Sequence, residues 1–151
     1  RAWPVLLCAC VAAGCTTVDL GDNFVAPSVQ LDEDFFYCRV QPEVLTAKRC
    51  ASGDSGEGGS CHSARSALRL STGAETDDPP ECDADDRVTG TVPVSYEDNL
   101  NALRFTVQAD PLASPLYRRP TALDSHPRKV IDEDGPEADL LLQWIAGGGS
   151  R

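Results

Sequence analysis

Seven cysteines (Cys8, Cys10, Cys15, Cys38, Cys50, Cys61 and Cys82) and two histidines (His62 and His126) carry most of the chemistry open to this 151-residue chain. A neutral imidazole is the commonest protein ligand for a metal ion. A thiol can close a crosslink, ligate a soft metal or accept a covalent group. Cys38, Cys50, Cys61 and Cys82 form an even set within the body of the chain, and in an oxidising compartment such a set is a crosslink framework with three connectivities. Cys61 and His62 set a thiol beside an imidazole. The chain has no methionine, so no thioether side chain is available as a ligand.

Charge narrows the function classes. Thirteen basic against 24 acidic residues give a formal net charge of −11. That excludes nucleic acid as a natural partner, because phosphates demand a basic face. It also excludes charge-driven binding to an anionic lipid surface. Solubility alone is served by such acidity. Twelve glycines and eleven prolines, with few aromatics, imply long loops and one small core. Small exported domains commonly make up such a deficit with disulfides or a bound cofactor.

Arg1 is followed by Trp3 to Ala13, an uncharged apolar stretch shorter than the roughly 20 residues needed to span a bilayer. Its length fits a secretory signal, and Ala12-Ala13-Gly14-Cys15 resembles the lipobox of bacterial lipoproteins. The resemblance implies that residues 1–14 are a lipoprotein signal peptide, carrying Cys8 and Cys10 away, and that Cys15 receives the lipid. Ala12 departs from the leucine more usual there. Thr16, where an inner-membrane retention Asp could stand, favours the outer membrane, at its periplasmic face or on the cell surface. An ordinary signal peptide cut elsewhere and a buried apolar segment are the competing readings.

The elements that must position the remaining cysteines and histidines are of uneven clarity. Residues 15–34 lack periodicity and read as a tether, leaving 35–149 as the domain. Phe35 to Val40 is aromatic and apolar, and Pro42 suits a first helical turn. Val44, Leu45 and Ala47 then share a face, with Glu43 early and Lys48 and Arg49 late, as a helix dipole favours. A Gly/Ser-rich loop (51–60) precedes Cys61, and an acidic, proline-containing loop (72–86) holds Cys82. Val88 to Val94 and Leu103 to Val107 are β-prone, with Pro93 allowing only an edge. Ser114 to Tyr117 looks like a short helix or turn. The strongest pattern is last: Ala138, Leu141, Leu142 and Ile145 at helical spacing, Trp144 beside them, and Gly147 to Gly149 as the stop. The expected fold is mainly α, with long loops and a small β-prone insertion across 72–110.

The order of these pieces resembles the c-type cytochrome domain, particularly forms in bacterial envelope proteins. The matching residues are Val40-Gln41-Pro42-Glu43-Val44-Leu45 leading to Cys50, then Cys61-His62, then Ser125-His126-Pro127, then Leu141-Leu142-Gln143-Trp144-Ile145-Ala146-Gly147. The likeness spans roughly residues 37–148. It implies a cytochrome-c-like fold whose first and last helices cross. It also implies covalent haem on Cys50 and Cys61, His62 as proximal iron ligand, and electron exchange with redox partner proteins without substrate chemistry. With no methionine, His126 stands as the second axial ligand and the haem is bis-histidine. Cys38 with Cys82 is then the remaining bridge.

One departure matters. The family's motif has two residues between its cysteines, whereas ten (ASGDSGEGGS) separate Cys50 from Cys61. A haem-free relative in which Cys50 and Cys61 close a disulfide, serving as an envelope interaction or assembly module, is therefore the alternative. Other motifs are weaker. Gly53-Asp54-Ser55-Gly56 matches the nucleophile tetrapeptide of trypsin-like proteases, but no histidine precedes it and the chain is too short for two barrels. Cysteines with His62 as a zinc site suffer from the same gap. Asp32-Glu33-Asp34, Asp83-Asp85-Asp86 and Asp132-Glu133-Asp134 lack a recognised calcium spacing and read as solvated surface. Arg118-Arg119 and Arg128-Lys129 suit either haem propionates or surface ion pairs.

Overall fold

The computed structural model describes residues 29–53 and 60–147. The expected signal peptide, Cys15, most of the expected tether and the Asp54-Ser55-Gly56 part of the protease-like tetrapeptide lie outside the described residues. What is described is mainly helical.

Helix α1 (Glu33–Phe35) starts where Asp32 accepts the Phe35 N–H on its side chain at 3.0 Å. Asp32 and Glu33, within the stretch expected as tether, are thus part of the first helix. The helix runs on through Phe36–Thr46 with wide π-type turns, visible where the Ala47 N–H reaches Pro42 O and the Cys50 N–H reaches Leu45 O. Pro42 lies inside this run, not in a first turn as expected. Proline has no N–H to give and its ring crowds the carbonyl of the preceding turn, and a widened helix relieves that crowding.

Helix α2 (Val94–Leu103) corrects the β-prone insertion. Among the described residues no strand forms; Cys82 and Val88 make a lone antiparallel bridge. Pro93, at φ −62° and ψ 140°, is the N-cap of α2, and the chain beyond Leu103 tightens into a 3-10 turn at Arg104–Thr106. Val and Thr favour strands only when a pleated neighbour receives them, and this fold supplies none. Tyr96, Asn99, Leu100 and Leu103 instead share the buried face of α2. Helix α3 (Pro115–Arg118) is short and begins with proline.

Helix α4 (Pro136–Ile145) buries Ala138, Leu141, Trp144 and Ile145, packing against the Phe36–Thr46 run. The Phe36 and Trp144 rings lie 4.9 Å apart at 40°, and the Trp144 indole N–H donates to Asp32 O at 2.9 Å. Lys48 and Glu137 close the other end of the pair at 2.6 Å. Cys38 and Cys82 are joined by a disulfide across 44 residues. Polar groups in the interior are matched. Asn99 donates to Gln41 at 3.0 Å and accepts the Ser71 N–H at 2.7 Å, while Gln41 donates to Thr46, which donates to Ala74 O.

Candidate cofactor site

Cys50 lies in the turn that follows the first helical run, and Cys61 opens a short π turn (Cys61–Arg65). Backbone hydrogen bonds hold the two against each other: His62 N–H donates to Cys50 O at 3.1 Å, and Ser63 N–H to Ala51 O at 3.0 Å. Ala51 and Ser52 give their own N–H groups to Glu75 Oε1 at 2.9 and 3.0 Å, and the Ser52 hydroxyl donates to the other carboxylate oxygen. A carboxylate here satisfies the otherwise orphaned donors that begin a helical turn. Both Cys50 and Cys61 are thiols, not a disulfide. Burial, reinforced by Glu75, pushes the Cys50 thiol up to about 12, so it is held as S–H at neutral pH.

The two histidines meet across 64 residues of chain. Their ring centroids are 6.0 Å apart and their planes differ by 24°. That separation lies within the ordinary range of paired rings. It approximates the separation of two imidazoles on either side of one metal ion, given metal–N bonds of about 2.0–2.1 Å. His126 Nδ1 lies 2.6 Å from Arg128 O, and a carbonyl only accepts, so Nδ1 carries the proton. His62 Nδ1 lies 2.8 Å from Ser66 Oγ, whose own hydrogen goes to Leu68 O at 2.6 Å. Ser66 must therefore accept from His62. In its neutral form each ring would keep its lone pair on Nε2, the state in which a histidine ligates with its far nitrogen oriented by a second partner. Desolvation, then the neighbouring His126 and Arg119, lowers the His62 pKa, opposed by hydrogen bonding to the Leu68 carbonyl, which raises it.

Both histidines and both cysteines line one cavity of about 470 Å³, within the size range of small-molecule and cofactor pockets. Its apolar wall includes Val44, Leu45, Leu103, Leu116, Ile131 and Leu141. Its charged lining is Lys48, Arg49, Arg65, Arg119 and Arg128, with no carboxylate among the described residues. In a chain of net charge −11 this is a local reversal of sign. An apolar pocket with cations around it suits a flat apolar ligand bearing anionic groups. Two imidazoles, two thiols at the wall and a basic surround are residue types that would suit a covalently held haem.

Of the basic pairs singled out from sequence, Arg119 and Arg128 line the cavity, whereas Arg118 binds Asp124 at 2.9 Å and Lys129 binds Asp132 at 3.0 Å. The acidic clusters are used structurally. Asp32 caps α1, Glu33 pairs with Arg104, Asp83 accepts the Asp85 and Arg87 N–H groups, and Asp86 lies 3.5 Å from Arg39. Among the described residues no group of three or more His, Cys, Asp or Glu is arranged to hold a metal ion. Ser66 and Glu75 are the site residues the sequence left unmarked. Ser66 had a faint signal, four residues after His62; Glu75 had none. No family model, curated protein or solved structure matches the chain.

Proposed function

We propose that this chain is an exported electron-transfer lipoprotein, anchored through Cys15 at the outer membrane, with a cytochrome-c-like domain holding one bis-histidine haem c. The observation that carries the reading is the His62–His126 pair, 6.0 Å apart in a cavity shared with Cys50 and Cys61. Haem bound there would cycle between ferrous and ferric iron, and two imidazoles in place of His/Met give a lower potential. The protein's own work is positional. Ser66 and the Arg128 carbonyl hold the two rings with Nε2 available. Glu75 fixes the Cys50 turn, and the apolar wall would pack against the faces of the ligand. Arg119 and Arg128 line the cavity, where they would meet carboxylates of the ligand. Two thiols and two imidazoles on separate segments converge on one cavity, which is more than a disulfide scaffold requires.

Expression of the full chain in a periplasm with haem-maturation machinery tests this. A visible spectrum of low-spin iron and a haem stain that survives denaturing electrophoresis are expected. His126→Ala should then convert the spectrum to one with an open sixth position. A chain bearing no covalent haem, with an intact mass showing a second disulfide between Cys50 and Cys61, would sink the reading in favour of the haem-free module.

A further inference from the structure

Cys50 and Cys61 are ten residues apart in sequence, yet the hydrogen bonds between their segments follow the register of an uninterrupted helix. If residues 53–60 are set aside, Cys50-Ala51-Ser52-Cys61-His62-Ser63 becomes a run of six. His62 N–H to Cys50 O then spans four positions, as does Ser63 N–H to Ala51 O. Two successive bonds with the four-residue step of an α-helix are what a continuous turn shows, and a loop closed at random would not share the same step. The Ala51 and Ser52 N–H groups, which a first turn leaves orphaned, go to Glu75. The turn therefore has a cap and a register. The Cys61 N–H lies 3.4 Å from Ser52 O, a contact between adjacent positions of the joined run that a regular helix does not make.

We infer that Cys50-Ala51-Ser52 and Cys61-His62 are one covalent-attachment turn, into which residues 53–60 are inserted without changing the register that presents the two thiols and the imidazole. This rests on the haem reading for the identity of the ligand, though not for the register. The thiols would take a tetrapyrrole bearing two vinyl groups. Each S–H adds across one C=C, sulfur bonding to the inner carbon and hydrogen to the outer, so no oxidant or reductant is consumed. Ser60, the last residue of the inserted segment, is the N-cap of the Cys61–Arg65 turn, its carbonyl accepting the Arg65 N–H at 3.2 Å; in a spliced chain Ser52 takes that place.

The test is a splice variant of the full chain with residues 53–60 deleted, joining Ser52 to Cys61, compared with the parent. Amide exchange in the parent should show the His62 and Ser63 N–H groups protected; fast exchange at both would overturn the inference whatever is bound. The spliced chain should keep the parent's helical circular dichroism and cooperative unfolding, and loss of either would overturn it. With maturation machinery present, the denatured spliced chain should weigh one haem more than its polypeptide, at occupancy no lower than the parent. Cys50→Ala and Cys61→Ala in it should each leave a single thioether. A folded spliced chain bound through one cysteine, beside a parent bound through two, would also overturn it. If neither chain takes haem, the functional reading fails alone, and exchange and unfolding still decide the register. If only the spliced chain takes haem, the register is upheld and the parent is a haem-free descendant.

Discussion

His62 is the residue at which electrostatics, tautomer and ligation meet. Its pKa is held below the usual 6.5, first by burial and then by His126 and Arg119. A folded-state pKa below the unfolded one means that the unfolded chain binds the extra proton more readily, so stability rises with pH through that interval. The contribution is complete above about pH 6.5 and is lost as pH falls through the folded value. Urea midpoints of the haem-free protein should therefore drop between pH 7.5 and pH 5.5, and His62→Gln should flatten that part of the profile; an equal drop in the variant would refute the assignment. Ser66→Ala removes the acceptor that fixes the His62 proton on Nδ1. Nitrogen-15 spectra should change from a single tautomer to a mixture, and affinity for an added ferric tetrapyrrole should fall about 10–100-fold. Cys50, Cys61, His62 and His126 could be singled out before folding, from residue type and the family resemblance, and the fold brings them to one cavity. Ser66 and Glu75 could not, because their roles exist only after distant backbone segments have been brought together.

Among the elements, α2 shows how a polar residue conceals a helix. Tyr96, Leu100 and Leu103 fall at helical spacing, but the position between them is Asn99, and flanking Val, Thr and Pro give a β-prone texture. Asn99 faces inward because Gln41 and the Ser71 N–H receive both ends of its amide, a pairing no local pattern announces. Asn99→Ala strands those two groups, at about 1–3 kcal/mol each. Exposed Asn101→Ala should stay within about 0.5 kcal/mol of the parent, and guanidinium unfolding of the two side by side decides the point. The terminal helices were easier, since apolar residues at three- and four-residue steps in α4 and a dense aromatic run in α1 needed no partner to be read. The wide turns around Pro42 were hidden, because periodicity cannot distinguish helical runs that differ by a fraction of a residue per turn.

For the molecule as a whole, the Cys38–Cys82 disulfide encloses the segment that bears Cys50, Cys61 and His62. Closing a loop of that 44-residue separation is worth about 4 kcal/mol in the chain-entropy model. Cys82→Ser should lower the unfolding midpoint accordingly, and reductant should lower the parent to the same value while leaving the variant unchanged. The concentration of basic residues at the cavity, in a chain otherwise dominated by carboxylates, is likewise a property of the folded molecule, because Lys48, Arg49, Arg65, Arg119 and Arg128 are scattered in sequence.

The meeting of Asp32 with Trp144 has a topological consequence. A side-chain carbon placed on Gly147 would lie 3.8 Å from Gln30 O, so the two ends of the described domain adjoin. A few residues, each spanning about 3.3–3.6 Å, suffice to join them. The order of the chain is then separable from the architecture. A circular permutant joined from residue 147 to residue 30 and opened between Gly56 and Glu57 would begin just before Cys61 and finish just after Cys50. Its ligand-bearing turn would be assembled from the two free ends of the polypeptide. Such a permutant should fold with the parent's near-ultraviolet signal, and a molten or unfolded product would show that the covalent link across 53–60 is needed after all.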